Sequence, residues 1–255
     1  MSETKIIFNE VFNSPGFSTR LSLSDYELGF FRDCIQIHYL DAISNFAPEL
    51  RIEFEKYSIE NYHEISHLIN HAAVWSKLNR CLPKIYTSKI KNFDFLKRLE
   101  SIFGAFKISD IVYDQTHMRD SEEVYWRIVR PNVSTDIGPL HADKWFHEVL
   151  SSEYMPKGTI SLKVWIPIYC EPGKNGLLMV PDSHKQDWNY TFVTTPSGQK
   201  KPLIANPPPS ILINTTPGNM IIFPDGTLHG GALNDGLKTR VSAEITLLLL
   251  NPKTT

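Results

Sequence analysis

Hydrophobic positions in the first 110 residues recur with the spacing of helices. Ser24 and Glu27 form a capping-box pair, in which the serine precedes the first helical turn and the glutamate side chain bonds back to the serine backbone. Apolar residues follow every three or four positions until Pro48 ends the run. We predict a helix there, a second over residues 59–75 and shorter helices around residues 94–106. The apolar positions of the first helix are Leu28, Phe31, Ile35, Tyr39, Ala42 and Phe46.

From residue 122 onward the pattern changes to short strands. Runs rich in β-branched and aromatic residues alternate with Gly, Pro, Asn and Asp turn signals, which is typical of a sandwich or barrel. Residues 196–209 are predicted to form a long loop. We divide the chain into a mainly helical region, residues 1–110, and a β-rich core, residues 111–255, within one structural unit. The predicted strands cover residues 124–129, 159–169, 177–180, 189–194, 211–214, 220–223 and 240–250.

Composition narrows the class of protein. At 255 residues the chain can bury a large core as one domain with additions. Lys and Arg number 26 and Asp and Glu 28, so the net charge of −2 gives no electrostatic footprint for nucleic acid. Cys34, Cys81 and Cys170 are odd in number and far apart, which indicates free thiols rather than a disulfide framework. With no secretory or membrane-spanning run, we expect a cytoplasmic protein that does not engage membranes.

A zinc-peptidase signature stands in the helical half. His63-Glu64-Ile65-Ser66-His67 matches H-E-x-x-H, in which two histidines on one helix face bind zinc. On a helix, however, His63, His67 and His71 fall opposite the apolar arc, where a solvated polar face would lie. The extension that supplies a third histidine is absent, because Ala73 stands at its position. A polar helix face is the favoured interpretation, and a zinc metallopeptidase using His63, Glu64 and His67 is the second enzyme class.

A second set of candidate ligands lies in the β-rich half. His141 and Asp143 are two residues apart, so on an extended chain their side chains share one face. With the distant His229 they would supply the two histidines and one carboxylate that non-heme Fe(II) oxygenases use, leaving three coordination positions open. The alternative is an ordinary jelly-roll protein in which these polar residues are scattered by chance.

A candidate carboxylate clamp follows the last of these histidines. Arg240 and Ser242 share one face of the predicted C-terminal strand with Glu244. A guanidinium beside a hydroxyl suits one end of a dicarboxylate such as 2-oxoglutarate. The ten residues between His229 and Arg240 are enough for a turn and a return along the adjacent strand.

The order of these motifs resembles a known family. H-x-D at residues 141–143, the strand 163–168, the segment 175–184 and the H-x10-R spacing look like the phytanoyl-CoA dioxygenase-like branch of the Fe(II)/2-oxoglutarate-dependent oxygenases. The resemblance covers about residues 122–250. One departure is Asp182, which stands where the family commonly has glycine, and Asp tolerates turn conformations.

The resemblance implies both a fold and a set of roles. The fold is α+β, with a double-stranded β-helix (jelly-roll, cupin-like) core buttressed by N-terminal helices. His141, Asp143 and His229 would bind Fe(II), and Arg240 with Ser242 would bind the distal carboxylate of the cosubstrate 2-oxoglutarate. Related halogenases replace the carboxylate ligand with a small residue, so Asp143 favours hydroxylation by O2 with release of succinate and CO2.

Four further residues are candidates for binding small molecules. Arg127 would bind 2-oxoglutarate or an anionic substrate, or else form a cross-strand ion pair. Trp165 would lie near the cosubstrate or pack in the core, and Lys144 and Trp145 would edge the substrate opening. These residues favour a small polar metabolite, such as a sugar, an amino acid or a secondary metabolite. A cupin-like binding module without turnover is the non-enzyme alternative.

Overall fold

The computed structural model describes residues 1–110, 122–149, 159–194 and 200–250. Within these ranges the helices are concentrated before residue 104. None of the described helices is both long enough and apolar enough to cross a membrane. The α-helices are α1 Glu3–Phe12, α2 Asp25–Phe46, α3 Arg51–Lys56, α4 Tyr62–Ile65, α5 His71–Val74, α6 Lys84–Ile90, α7 Asp94–Phe103 and α8 Lys144–Val149.

The capping box predicted for α2 is present. The Ser24 hydroxyl accepts a hydrogen bond from the backbone N–H of Glu27, and the Glu27 carboxylate accepts one from the Ser24 backbone N–H at 2.8 Å. The second Glu27 oxygen accepts from the backbone N–H of Phe95 at 3.0 Å, in the first turn of α7. One buried carboxylate therefore begins two helices and fixes them relative to each other.

The long helix predicted over residues 59–75 is wrong. The segment consists of short pieces: 3-10 turns at Ile59–Asn61 and Ser66–Leu68, with α4 and α5 between and after them. Ile69 has extended backbone, with φ −134° and ψ 162°, and the Asn70 side chain then accepts from the N–H of Ala73 to begin α5. Because Asn is a strong N-cap residue, it starts a new helix here instead of continuing the first.

This break also gives His71 a different environment from the solvated face that the helical pattern predicts. His71 Nδ1 lies 2.9 Å from the Tyr62 hydroxyl, which accepts a hydrogen bond from Trp75 Nε1. Its Nε2 faces Asp136, whose carboxylate is also bound by Arg130. Burial lowers the pKa of His71 to about 4, although the Asp136 carboxylate opposes that shift. The ring is neutral at pH 7 and is part of the packed interior.

All strand pairing in the two main sheets is antiparallel. In the larger sheet β10 is central: β3 pairs along one edge, β1 and β2 share the other, and β8 extends the sheet beyond β3. A second sheet has the order β7-β4-β9, and β5 and β6 form a separate hairpin. The strands are β1 Phe106–Ile108, β2 Val124–Val129, β3 Ile160–Tyr169, β4 Leu177–Met179, β5 Thr191–Thr194, β6 Lys200–Leu203, β7 Ile211–Leu212, β8 Ile221–Pro224, β9 His229–Gly231 and β10 Arg240–Leu249.

Each of the seven predicted strands is present, with ends shifted by one or two residues. The loop predicted over residues 196–209 is wrong in part, because β6 occupies Lys200–Leu203; residues 195–199 lie outside the described ranges. Pro202 and two lysines concealed that strand, yet such residues are common on exposed edges. Both Pro202 and its partner Phe192 belong to a two-stranded hairpin that has free edges.

The two faces of the large sheet differ in character. One face packs with the helices into the main hydrophobic core. The other contacts the smaller sheet through a cluster that includes Trp165, Met179 and Phe223. Cys34, Cys81 and Cys170 are free, as predicted. The buried residues of the large sheet that join the main core are Ile108, Val124, Trp126, Ile128, Leu162, Val164, Ile166, Ile168, Ile222, Val241, Ala243, Ile245, Leu247 and Leu249.

We predict that the free energy of unfolding falls as the pH is lowered from 6.5 to about 4. These limits are the ordinary pKa of histidine and the folded-state pKa of His71. The unfolded chain binds a proton in this window that the folded chain does not, so stability is lost as the pH falls. His71→Gln should reduce the fall by on the order of 2 kcal/mol. Urea titrations across the window measure it. His67→Gln is the control: the His67 ring is exposed, so this variant should lose as much stability over the window as the wild type. An undiminished loss of stability in His71→Gln would contradict the prediction.

Candidate functional site

Strand pairing brings the three predicted ligands together. The backbone N–H of His141 donates to the carbonyl of His229 at 2.9 Å, and the reverse bond has the same length. The ring centroids of the two histidines lie 4.4 Å apart. Asp143, two residues further on, places Oδ1 3.6 Å from His141 Nε2 and 3.8 Å from His229 Nε2. One potential ligand atom from each residue therefore lies within 4.8 Å of the other two.

Both imidazoles are anchored through their other nitrogen. Nδ1 of His141 lies 2.8 Å from the Pro139 carbonyl, and Nδ1 of His229 lies 3.0 Å from the Thr227 carbonyl. Because a carbonyl only accepts, Nδ1 carries the proton and Nε2 keeps its lone pair directed towards Asp143. Burial lowers the pKa of His229 to about 4, and the neighbouring His141 contributes to the shift. The ring is therefore neutral at pH 7, as a metal ligand must be.

Asp143 is held as a carboxylate. Burial alone would raise its pKa, but Lys163, His229 and His141 outweigh that effect and hold the pKa of Asp143 well below its usual value. Lys163 Nζ lies 3.3 Å from Asp143 Oδ2 and donates to Thr246 Oγ1 at 2.9 Å. Two neutral imidazole nitrogens and one carboxylate oxygen match the donor set of a divalent transition metal.

The predicted carboxylate clamp is buried on the inner face of the large sheet. Arg240 and Ser242 are almost completely inaccessible, and the Arg240 guanidinium carbon lies 5.7 Å from the ring centre of Trp165. Arg240 Nη1 donates to the Gly176 carbonyl at 2.5 Å. Within the described residues, Arg240 Nε and Ser242 Oγ are buried without any hydrogen-bond partner. Both donors are therefore available for a further hydrogen bond.

The charge on Arg240 is opposed by its surroundings. Burial is the main reason that its pKa falls to about 10, and the nearby Arg127 adds to the shift. Glu244, which partly offsets both effects, is already paired with Arg127. A buried guanidinium in this position remains charged at pH 7 and would gain from a bound carboxylate.

One asparagine holds the turn between His229 and Arg240. The buried Asn234 side chain donates to the carbonyls of Val129 and Lys238, at 3.0 and 2.8 Å. Its oxygen accepts from Asn175 Nδ2 at 2.8 Å and from the backbone N–H of Gly236 at 3.1 Å. These four hydrogen bonds join the turn to β2 and to the loop before β4, so they set where β10 begins. Asn234 therefore shapes this turn.

Of the two interpretations of Arg127, the structure contains the ion pair. Arg127 Nε lies 2.5 Å from Glu244 Oε1, across the β2–β10 pair. Trp165 is buried against Arg240 and the cluster between the sheets. Direct contact of either residue with a bound small molecule stays a prediction.

Lys144 and Trp145 begin α8, a helix that the sequence pattern did not reveal. Lys144 Nζ lies 3.4 Å from Asp187 Oδ1. Trp145 is buried and stacks on Tyr190, with ring centroids 4.1 Å apart and planes inclined by 13°. Its observed contacts are those of a core residue, and the predicted contact with substrate is untested.

The remaining sequence signals have structural roles. Asp182 adopts the left-handed conformation, with φ 62°, which confirms that Asp tolerates this turn. Next to it, the Ser183 hydroxyl donates to the Val180 carbonyl and accepts from the backbone N–H of Leu228. His184 Nε2 lies 3.3 Å from the Phe12 carbonyl.

Charged residues beside the triad were missed. Lys163 and Glu244 lie on the inner faces of β3 and β10, and both alternate with apolar residues along their strands. That alternation was the available signal, because a charged residue on the inward side of a buried strand is rarely accidental.

Comparison with known proteins supports the fold assignment. No family model matches the sequence, and no curated protein matches it. Among solved structures, the chain is similar to the non-heme monooxygenase ThoJ, with 14% identity and a TM-score of 0.56, over 97% of this chain and 79% of that one. It is also similar to SnoK, a non-heme alpha-ketoglutarate-dependent carbocyclase from nogalamycin biosynthesis, with 11% identity and a TM-score of 0.53, over 99% and 86% of the chains. At these identities the likeness shows a shared fold of helices and antiparallel sheet.

A third solved structure contains ligands. The epimerase SnoN, in complex with Fe3+, alpha-ketoglutarate and nogalamycin RO, has 10% identity and a TM-score of 0.50, over 96% of this chain and 83% of that one. A complex of ThoJ with nickel is also similar, with a TM-score of 0.53, 11% identity, and coverage of 97% of this chain and 79% of that one. The phytanoyl-CoA dioxygenase-like family is not among these matches.

We predict that Asn234→Ala lowers the free energy of unfolding by about 2–4 kcal/mol. The substitution leaves the buried Asn175 amide and the carbonyls of Val129 and Lys238 without their partner. Asn214→Ala is the matched control, because Asn214 is exposed and should change stability by less than about 0.5 kcal/mol. Urea denaturation of both variants measures the difference; equal losses would show that Asn234 does not hold the turn.

Proposed function

We propose that this chain is an Fe(II)/2-oxoglutarate-dependent oxygenase with a double-stranded β-helix core. The proposal is carried by two features together: the cluster of His141, Asp143 and His229, and the buried donors Arg240 Nε and Ser242 Oγ, which have no hydrogen-bond partner within the described residues. A metal site alone would suit many reactions. A buried, uncompensated guanidinium and hydroxyl beside it favour a cosubstrate with a remote carboxylate.

The metal would be held by Nε2 of His141 and His229 and by the Asp143 carboxylate. The Nδ1 hydrogen bonds to Pro139 and Thr227 orient the two rings before any metal binds. Bound Fe(II) with 2-oxoglutarate and O2 would supply the oxidation: C–H becomes C–OH, and the second oxygen atom enters succinate as CO2 leaves.

The cosubstrate would reach from the metal to Arg240. Its distal carboxylate would accept hydrogen bonds from Arg240 Nε and Ser242 Oγ, two buried donors that lack partners within the described residues. Trp165 would form one wall, since it lies against the Arg240 guanidinium. The negative charge would offset the burial penalty that now lowers the pKa of Arg240 to about 10.

The order of motifs supports membership of the phytanoyl-CoA dioxygenase-like branch, with residues 1–110 buttressing the core. The family name does not specify an acyl-CoA substrate, because substrate choice depends on the site and not on the fold. Charged side chains around the triad, including Lys163 and Arg127, favour a small polar metabolite such as a sugar, an amino acid or a secondary metabolite.

The zinc-peptidase alternative has no support within the described residues. The H-E-x-x-H segment crosses from α4 into a 3-10 turn, and His63 Nδ1 lies 3.1 Å from the Thr239 hydroxyl. His67 is exposed, and neither histidine belongs to a group that could hold a metal in the described part of the chain. The binding-module alternative differs from the oxygenase only in turnover, so succinate formation across a metabolite library separates them.

We predict that anaerobic Fe(II) and 2-oxoglutarate give the metal-to-ligand absorption band in the wild type. Asp143→Ala and His229→Ala should weaken metal binding by more than about 100-fold, because loss of outer-shell partners alone costs 10–100-fold. His67→Ala is the matched control and should keep the full band, whereas a zinc peptidase would lose bound zinc in it. Absence of the band from wild type, or its survival in Asp143→Ala, would overturn the iron site.

We predict that Arg240→Leu weakens 2-oxoglutarate binding by about 10–100-fold, since a hydrogen bond to a charged group contributes about 1.5–3 kcal/mol. Arg240→Lys should recover part of the affinity, and Ser242→Ala should cost less than Arg240→Leu. The dissociation constants come from titrating the absorption band with 2-oxoglutarate. Fe(II) binding without the cosubstrate is the control for folding and should be unchanged. Equal constants for wild type and Arg240→Leu would remove the clamp from the proposal.

A further inference from the structure

Three cations surround the ring of Tyr125. The charged groups of Lys77, Arg80 and Arg127 lie 5.7, 4.9 and 5.1 Å from its centre. Tyr125 is on β2, on the inner face of the large sheet, and its register partner on β10 is Glu244. These residues come from distant parts of the sequence, and we call them the Tyr125 basic cluster. Such a concentration of positive charge around one buried ring requires an explanation.

Backbone pairing fixes Arg80 in this position. The N–H of Leu82 donates to the Val124 carbonyl at 2.9 Å, and Cys81 forms an antiparallel bridge with Tyr125. The segment around residue 80 therefore runs against the outer edge of β2, and the Arg80 guanidinium lies over the Tyr125 ring. The helical region thus contributes a charged side chain to the β-rich half.

Arg80 differs from the other cations in its partners. Lys77 pairs with Glu123, and Arg127 pairs with Glu244. Within the described residues, the one hydrogen bond from the Arg80 side chain joins Nε to the Ser76 carbonyl, at 3.4 Å, and no carboxylate lies within ion-pair distance. Burial lowers the pKa of Arg80, and Arg127 adds to that shift although Tyr125 opposes it. Glu244 also opposes the lowering of the Arg80 pKa, but within the described residues no carboxylate forms an ion pair with Arg80.

The cluster continues to the metal ligands through ion pairs. Arg127 bonds Glu244, which interacts electrostatically with Lys163, and Lys163 contacts Asp143. The Arg127 side chain is 35% accessible, and Arg127 also interacts electrostatically with Asp143. The Tyr125 basic cluster is therefore connected to the metal ligands through Glu244 and Lys163.

The charges of this region do not balance within the described residues. Lys77, Arg80, Arg127 and Lys163 supply four positive charges, whereas Glu123, Glu244 and Asp143 supply three negative ones. Arg240 adds a fifth positive charge near Arg127. Bound Fe(II) and doubly charged 2-oxoglutarate would together add no net charge, so an excess of positive charge would persist in the loaded enzyme. An anionic group on the primary substrate would cancel it.

We propose that Arg80, with Arg127 beside it over Tyr125, binds an oxyanion of the primary substrate, a carboxylate or a phosphate. The inference rests on the proposed function and makes it more specific, because it selects anionic metabolites over neutral sugars. Arg240 and Ser242 are occupied by the cosubstrate in this arrangement. The substrate's anion is then held by a separate guanidinium, and its C–H bonds extend towards the triad.

The test uses the full chain loaded anaerobically with Fe(II) and saturating 2-oxoglutarate, at constant ionic strength. Propanoate and methyl phosphate are the anionic probes, and propanamide is the neutral match of propanoate. The thermal unfolding midpoint, followed by tryptophan fluorescence, should rise saturably with at least one anion and not with propanamide. The larger response of the two anions identifies whether the substrate group is a carboxylate or a phosphate.

Arg80→Met should weaken binding of that anion by about tenfold, as expected for loss of a charge-assisted hydrogen bond. Arg80→Lys should recover part of the affinity. Arg98→Met removes the same charge from an exposed position on α7, and its anion affinity should equal that of the wild type.

The two proposals fail separately. Loss of the metal-to-ligand band in wild type would overturn the oxygenase, and the band is recorded before any probe is added. With the band intact, three results would overturn the anion site: no saturable response to either anion, equal binding of propanamide, or unchanged affinity in Arg80→Met.

Discussion

The pair of backbone hydrogen bonds between His141 and His229 is the constraint on which the site depends. Directly opposite residues of an antiparallel pair direct their side chains to the same side, so this pairing places both imidazoles together. Asp143 follows two residues later, in the turn that begins α8, and its Oδ1 lies 3.6 Å from His141 Nε2. The carbonyls of Pro139 and Thr227 then fix the ring orientation. Three ligands are thus arranged by the protein alone.

The large sheet separates stability from chemistry by its two faces. Val241, Ala243 and Ile245 of β10 pack into the main core with the helices. The alternating residues, Arg240 and Ser242, lie on the opposite, inner face, where Arg240 contacts Trp165. Because one face is covered by a large apolar layer, the other can hold charged groups that would be destabilising in isolation. By covering the other face, the helical region therefore offsets the destabilising effect of the charged side chains on the inner face.

Sequence patterns predicted the strands and the triad because both depend on local alternation and spacing. The predicted helix over residues 59–75 failed because Asn70 caps a new helix, and a capping preference competes with apolar periodicity. The contact between Lys163 and Asp143 could not be predicted, since it depends on how β3 is placed against a distant loop. Arg80 was missed for the same reason: its position over Tyr125 follows from pairing between the helical region and β2.

The burial of the Arg240 guanidinium opposes folding, and this unfavourable burial favours a bound ligand. Its guanidinium is buried, its pKa is lowered to about 10 by burial and by Arg127, and it is still charged at pH 7. The nearest compensating carboxylate, Glu244, is committed to Arg127. A sequence selected only for stability would place an apolar residue there, because an unpaired buried charge opposes folding. A ligand carboxylate that binds only the folded chain would reverse this cost, so cosubstrate binding and folding stability are thermodynamically linked at this residue.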